Sequence, residues 1–410
     1  AVAANVPDER TMLLAWVAGA FVSLAGAMCY AELAAAYPHA GGDYHFLSRA
    51  LGRGVAFLFG WARLTVIPTG SLALLGFVFG DYASELLDLA GASSLLAVAM
   101  VVVLTAVNVA GLRVARWAQN VLTAALLLGL VLVIATGFLV EPAAPAAAAS
   151  GGEARPAFGL AMVFVLLAYG GWNEAAYVSA ELKGGRRAIA GALAIGLVTV
   201  AVLYILANAA FLRGLGLEGV RRSDAVAADL LARGLGAGAA RAIAAIVVAA
   251  ALTSANATLL MGSRQVWAFG QDFPLFAPLG KWSRRAGSPV NALLVQGAVA
   301  LVLVLFGAAS RSGFEAMVAY TAPVFWLFFL LTGISLFVLR RRDPLAPRPF
   351  KVPLYPVTPV VFCAACAFLL WSSVVYAGPG AIAGIVVLAA GLLPAWVSSR
   401  RVPVRRPATV

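Results

Sequence analysis

Charge is scarce in this chain. Asp, Glu, Lys and Arg make up 11% of its 410 residues and hydrophobic residues 63%, with a mean hydropathy of +0.96. Soluble globular domains carry about 25% charged residues, so the composition excludes one and reads as a polytopic membrane protein. Cysteine is nearly missing: three residues build no disulfide framework. Cys363 and Cys366 form a C-x-x-C inside an apolar span with no partner ligands, which makes them small packing residues rather than a metal or redox pair. The two histidines, His39 and His45, share one loop, and their expected role is at a solvated or lipid-headgroup surface. No Ser/His/Asp, Cys/His or two-metal constellation falls within the apolar runs, which leaves an intramembrane enzyme little to work with. Residues 1–11 lack a basic stretch leading into an apolar one, so no signal peptide is visible.

What the chain has instead is apolar runs, at roughly 13–37, 56–79, 93–112, 119–140, 158–182, 188–212, 240–263, 289–308, 314–339, 357–377 and 380–398. Each is long enough to cross a bilayer, giving about eleven spans. Basic residues gather in alternate connections: Arg49 and Arg53; Arg113 and Arg116; Lys183, Arg186 and Arg187; Arg264, Lys281, Arg284 and Arg285; Arg340 to Arg342, Arg348 and Lys351; and Arg400 to Arg406. The connection after the second run holds Asp81, Glu85 and Asp88 with no basic residue. The positive-inside rule then places the basic connections and the C-terminus in the cytoplasm. The net charge of +12 is a matter of topology, and no nucleic-acid partner is expected. Counting back through eleven spans puts Ala1 to Arg10 outside, so an additional upstream span is expected, absent from the chain as given.

One apolar run is interrupted where a spanning helix should least tolerate it. Between Phe158 and Leu182 lies Ala168-Tyr169-Gly170-Gly171-Trp172-Asn173-Glu174. Each glycine lowers helix propensity by about 1 kcal/mol relative to alanine and offers no side chain to block approach to the backbone. A break in hydrocarbon strands amide and carbonyl groups at several kcal/mol each, unless it lines a cavity and meets a ligand. Two half-helices pointing free N–H and C=O groups into one cavity suit a zwitterion carrying a carboxylate and an ammonium. Trp172, Asn173 and Glu174 add a flat apolar wall, an amide and a charge. A glycine packing notch between helices is the alternative reading.

Other polar positions within the runs are fewer. Arg63 lies about two turns inside the second run, and a charge at such depth should pair or snorkel. Glu32, at similar depth in the preceding run, is its expected partner in a structural ion pair, with a role for Arg63 in the substrate path as the alternative reading. Pro68 to Ser71 should loosen or kink the second run. The loop Tyr37 to Tyr44 is glycine-rich but lacks the Lys-Ser/Thr of a phosphate cradle and reads as a tight turn. Residues 141–157 read as a linker. In residues 213–238, Ser223 or Asp224 is placed to cap a short amphipathic helix through Arg233, either a lid or a passive surface segment. Thr253, Ser254 and Asn256 cluster within one turn; such groups usually bond their own backbone or a neighbouring helix, or could help hold a sodium ion.

Taken together, Cys29-Tyr30-Ala31-Glu32-Leu33, Tyr37-Pro38, Gly41-Gly42-Asp43-Tyr44, Phe59-Gly60-Trp61, Ala168 to Glu174, Glu181-Leu182-Lys183, Ser288 to Ala292 and Arg348 to Pro353 resemble the amino acid–polyamine–organocation superfamily of permeases. Within it they look closest to bacterial relatives of the L-type amino acid transporters and serine/threonine exchangers. The resemblance covers nearly the whole chain. It implies an all-α polytopic membrane fold of two inverted five-helix repeats, as in leucine-transporter-like proteins, plus two C-terminal helices: eleven spans present of an expected twelve. Residues 1–140 would be the first repeat without its first helix, 158–340 the second repeat, 357–398 the extra helices and 399–410 a basic cytoplasmic tail. The helix expected upstream would be the broken partner that binds the substrate carboxylate in this family.

By the same resemblance, substrate contacts map onto Ala168, Tyr169, Gly170, Gly171, Trp172 and Asn173, with backbone carbonyls near Ala168 and Gly170 for the ammonium. Leu167 stands where many relatives have an aromatic gate. Leu126 stands where many have a lysine whose ammonium replaces a sodium ion, so a lysine-based proton mechanism is not expected, and sodium near Ser254 or plain exchange remains open. The expected activity is alternating-access transport of an amino acid, a neutral one by preference, across the cytoplasmic (inner) membrane, with no cofactor beyond a coupling sodium ion or proton and no assigned partner subunit. A polyamine, cationic-solute or potassium permease of the same fold, or a non-transporting receptor or partner subunit, is the alternative.

Overall fold

A computed structural model describes residues 1–410 apart from 40, 90, 112–115, 144–156, 175–187, 224, 311, 377 and 401–410. The described residues form helices: α1 (Glu9–Ala36), α2 (Asp43–Leu51), α3 (Arg53–Thr65), α4 (Ile67–Leu86), α5 (Ser93–Val109), α6 (Arg116–Leu139), α7 (Phe158–Ala168), α8 (Ala188–Arg222), α9 (Val226–Leu235), α10 (Ala237–Asp272), α11 (Val290–Ala308), α12 (Gly313–Arg342), α13 (Val357–Tyr376), α14 (Gly378–Ala390) and α15 (Leu392–Arg400). No strand occurs among them, only an isolated bridge between Ser283 and Ser288. Nine helical segments of the described residues are long and apolar enough to cross a membrane, and α5 and α7 are shorter apolar helices. The chain is a multi-pass membrane protein.

The second run bends where Pro68 predicts it. Proline lacks an N–H and its ring crowds the carbonyl four residues back, and α3 gives way to α4 at Val66, with φ −122° and ψ −60°. The Thr65 carbonyl beside the kink accepts a bond from the Tyr320 hydroxyl of α12 at 2.9 Å. Beyond the kink, α4 packs against α5, α10, α11 and α12. Glycines permit this closeness: a β-carbon on Gly80 would lie 2.2 Å from the Ser93 carbonyl oxygen, and one on Gly70 2.1 Å from Thr321. Small residues at such crossings supply van der Waals packing where lipid removes the usual hydrophobic drive between helices.

Two sets of connections gather at opposite ends of the bundle. At one end Arg49 bonds Asp343 at 2.8 Å, Tyr44 bonds Asp272 at 2.7 Å, and Arg342 donates to the Ala50 carbonyl at 2.9 Å. At the other, Arg221 donates to the carbonyls of Ala3 and Val6, Ser93 bonds Asp81, and Arg233 reaches the Gly214 carbonyl at 2.6 Å. At this second end Arg221, Arg222 and Arg233 are engaged by carbonyls and by Glu218, and Arg241 pairs with Asp88 at 3.8 Å. The turn between α1 and α2 is tight as expected: Gly42 adopts φ +46°, the Gly41 N–H donates to His39 Nδ1 at 2.9 Å, and the two imidazoles stack at 4.3 Å. Burial, chiefly, holds the His45 pKa down to about 4, with help from His39 and Arg49, while His39 is exposed, so His45 packs into the turn and His39 stays at its surface.

Two further expectations need correction. Glu32 does not pair with Arg63. It is fully buried, accepts from Arg340 Nε at 2.7 Å, also contacts Arg340 Nη2 and, at 3.5 Å, Arg348 Nε, and accepts the Val352 N–H at 2.6 Å. The reason is helix neighbourhood: α1 packs on α7, α8 and α13 and meets the end of α12, so matching depth along the chain did not mean adjacency. Similarly, α9 starts after Ala225 with no side-chain cap. Ser223 instead donates to Asp229, and Asp224 lies outside the described residues. The helix seats Leu230 and Leu231 in a cluster with Val133 and Ile243, packed on α6, α8 and α10. Cys366 is buried, and Cys363 packs on Gly333.

Candidate functional site

Helix α7 is apolar throughout, and Gly159 to Leu166 are buried with the exception of half-buried Leu160. It ends at Ala168. Tyr169 still donates to the Val165 carbonyl at 3.1 Å and Gly170 to Leu167 at 3.0 Å. Then Gly171 turns the chain at φ +98°, a conformation that costs a residue with a β-carbon about 1–2 kcal/mol. A single tight turn, Trp172–Glu174, follows, closed by the Glu174 N–H on the Gly171 carbonyl at 3.1 Å. The remainder of the expected run, from residue 175, lies outside the described residues. The apolar run is therefore broken at its glycine pair, as its local propensities dictate.

The break has two faces. On one, Ala168, Gly170 and Gly171 are exposed, so backbone groups at the end of α7 are open to a ligand. The Ala168 carbonyl is reached at 3.4 Å by the Tyr204 hydroxyl of α8. Tyr169 turns inward, buried, and its hydroxyl donates to the Trp16 carbonyl of α1 at 3.1 Å. Trp16, Tyr169 and Tyr204 form a trio of rings with centroids 5.3 to 5.7 Å apart. Leu167 is half-buried against the same core.

On the other face, Asn173 is buried and borders a small cavity. Tyr30, Asp43, Phe59, Arg63 and Thr332 line it with the rings of Phe325, Phe328 and Phe329. It holds about one water molecule, far less than an organic solute needs. Trp172 is the wall between the faces: its ring lies 5.1 Å from Tyr30, 5.4 Å from Phe329 and 6.2 Å from Phe362. Glu174, at the end of the turn, forms an ion pair with Arg63 of α3 at 3.6 Å; the arginine side chain is 9% exposed and the carboxylate 43%.

The residues of the glycine stretch lie together at the break, and their neighbours from elsewhere, Trp16, Tyr30, Tyr204 and Phe329, were not picked out from the sequence; Arg63 meets Glu174 there. Aromatic residues in apolar spans carry little signal, because they are ordinary lipid-facing or core residues until a neighbour is known. Asp43 had one signal, an acid at a helix start that proves 2% exposed. The hydroxyl cluster of α10 stands apart. Thr253 donates to its own Ala249 carbonyl at 2.7 Å, Asn256 Oδ1 accepts from Asn108 of α5 at 2.7 Å, and Ser254 is exposed. Leu126, on α6, is 37% exposed. Among the described residues no group of His, Cys, Asp and Glu could hold a metal ion.

A helix broken at a glycine pair inside a bundle of membrane-spanning helices is an arrangement that transporters use to bind their solutes. Comparison with known proteins gives the family: residues 2–392 match the amino acid permease model, and the chain belongs to that family. It is 29% identical to mouse b(0,+)-type amino acid transporter 1, over 91% of this chain and 77% of the relative. It is 29% identical to human large neutral amino acids transporter small subunit 2, over 92% and 72%, and to mouse Asc-type amino acid transporter 1, over 93% and 73%. The protein is an amino acid transporter of the amino acid–polyamine–organocation superfamily.

Proposed function

We propose that this permease carries neutral amino acids by alternating access, as an exchanger, with the break after α7 as its substrate site. The observation that carries the reading is the exposed backbone of Ala168, Gly170 and Gly171 at a helix end, where carbonyls carry partial negative charge suited to an α-ammonium and keep a second lone pair beside the donors already on Ala168 and Gly171. Trp172 and Leu167 offer apolar surface to a side chain. Asn173 steadies the turn from its buried position. The cavity behind Asn173 is too small for substrate, so it supports a view of this conformation as closed on that face; rocking of α1 and α7 against α3, α4 and α12 would open it.

Exchange is favoured over lysine-based proton coupling by Leu126, which carries no charge. The gathering of Arg49, Arg340, Arg342 and Arg348 at one end supports a cytoplasmic assignment of that end, with the C-terminal tail on the same side. Within this reading, residues 1–140 and 158–340 are the two inverted repeats.

Counterflow into proteoliposomes tests the reading. Labelled neutral amino acid should accumulate against its unlabelled form, and Gly170→Leu, which fills the break, should abolish this. A folded, reconstituted protein that exchanges no amino acid would refute it.

A further inference from the structure

The sequence leaves Glu174 as a carboxylate beside the break, and a free carboxylate there would draw cationic side chains. The tertiary structure places a guanidinium against it. Arg63 sits on α3, at the cavity that Asn173 also borders, and its Nη2 is 3.6 Å from Glu174 Oε1. The arginine side chain is nearly buried, while the glutamate is partly exposed at the end of the turn that follows Gly171. The Arg63 guanidinium also lies 5.9 Å from the Phe59 ring centroid, which holds it on the α3 side of the contact. Placing a charge at this depth is expensive, and the acid of the broken helix stands within ion-pair distance of the arginine, with Asp43 lining the same cavity.

We infer that Arg63 and Glu174 form the charge filter of the substrate site, the arginine cancelling the carboxylate so that zwitterionic amino acids with uncharged side chains are accepted and cationic ones are not. The inference rests on the substrate site proposed above. A cation arriving at the break meets a neutralised pair instead of an acid, and gains nothing over a neutral side chain while losing its hydration. Removing the arginine charge leaves Glu174 to favour cations in a weakly screened site, where one unit charge within several ångströms changes affinity by about tenfold or more.

Counterflow and competition with labelled leucine and lysine read this out. In the unaltered protein, leucine exchanges and lysine competes poorly. Arg63→Gln, or Arg63→Met where the amide variant does not fold, raises the lysine-to-leucine ratio about tenfold. The double variant Arg63→Gln/Glu174→Gln returns it toward the starting value, and Arg63→Lys keeps the original preference. A folded Arg63 variant that exchanges leucine with an unchanged ratio overturns the inference. So does an unaltered protein in which lysine competes as well as leucine and Glu174→Gln abolishes that competition, because the carboxylate would then be free to bind cations. Absence of any amino acid exchange by the unaltered protein would instead refute the substrate reading itself, which separates the two failures.

Discussion

Replacing Glu32 by glutamine removes one negative charge from a place where it holds three donors. The carboxylate is 0% exposed, while the Arg340 and Arg348 side chains are 18% and 9% exposed. In the variant both guanidiniums lose their acid; Arg348 keeps bonds to the carbonyls of Leu339 and Asp343, and Arg340 keeps the Tyr355 ring at 3.8 Å. The Val352 N–H, now 2.6 Å from the acid, can still bond the amide oxygen. Removing one partner from a buried pair costs about 3–5 kcal/mol, most of it the penalty of the stranded charge. For a chain of this size that corresponds to a fall of about 3–6 °C in apparent Tm at fixed heating rate. Size-exclusion detection of detergent-solubilised protein after stepwise heating measures it. Glu32→Ala should fall further, because it also strands the Val352 amide. Glu32→Gln/Arg340→Met should recover part of the loss, since the double variant no longer buries the Arg340 charge. A Glu32→Gln variant melting within about 1 °C of the unaltered protein would refute the network as a structural anchor.

Other outcomes follow from the same contacts. Gly26→Ala places a β-carbon 2.5 Å from Phe362 and 2.6 Å from Trp172, so the protein should fold at a cost of about 1–3 kcal/mol with a raised KM for counterflow; an unchanged KM would remove Trp172 from the substrate wall. The His45 pKa, held near 4 by burial, is below the unfolded value of about 6.5. The unfolded chain therefore takes up the proton first, and stability should be full above about pH 6.5 and decline as pH falls toward 4. His45→Gln should flatten that part of the pH–stability curve. Replacing sodium by choline should leave the exchange rate unchanged if the α10 oxygens serve the bundle, whereas a sodium-dependent rate lost in Ser254→Ala would return the ion to that helix.

The apolar runs, the bend ahead of Pro68 and the break at Gly170 and Gly171 were legible in the sequence. Each is decided by residues within a turn or two of one another: a missing N–H, a missing β-carbon, or a stretch too apolar for water. Such causes act before any helix has met its neighbour. The candidate site was proposed by the same route, because a polar interruption of a membrane span is costly wherever it lies.

Which groups face each other was decided only by tertiary structure. Glu32 meets Arg340 across 308 positions, Arg63 meets Glu174 rather than Glu32, and Asn256 bonds Asn108 across 148. Depth along each helix can be read from the chain, but azimuth and neighbour come from how the helices pack. A buried charge accepts whichever partner that packing brings within reach. Local chemistry therefore determined that this protein spans a membrane and breaks a helix, and helix packing determined which charges stand at the break.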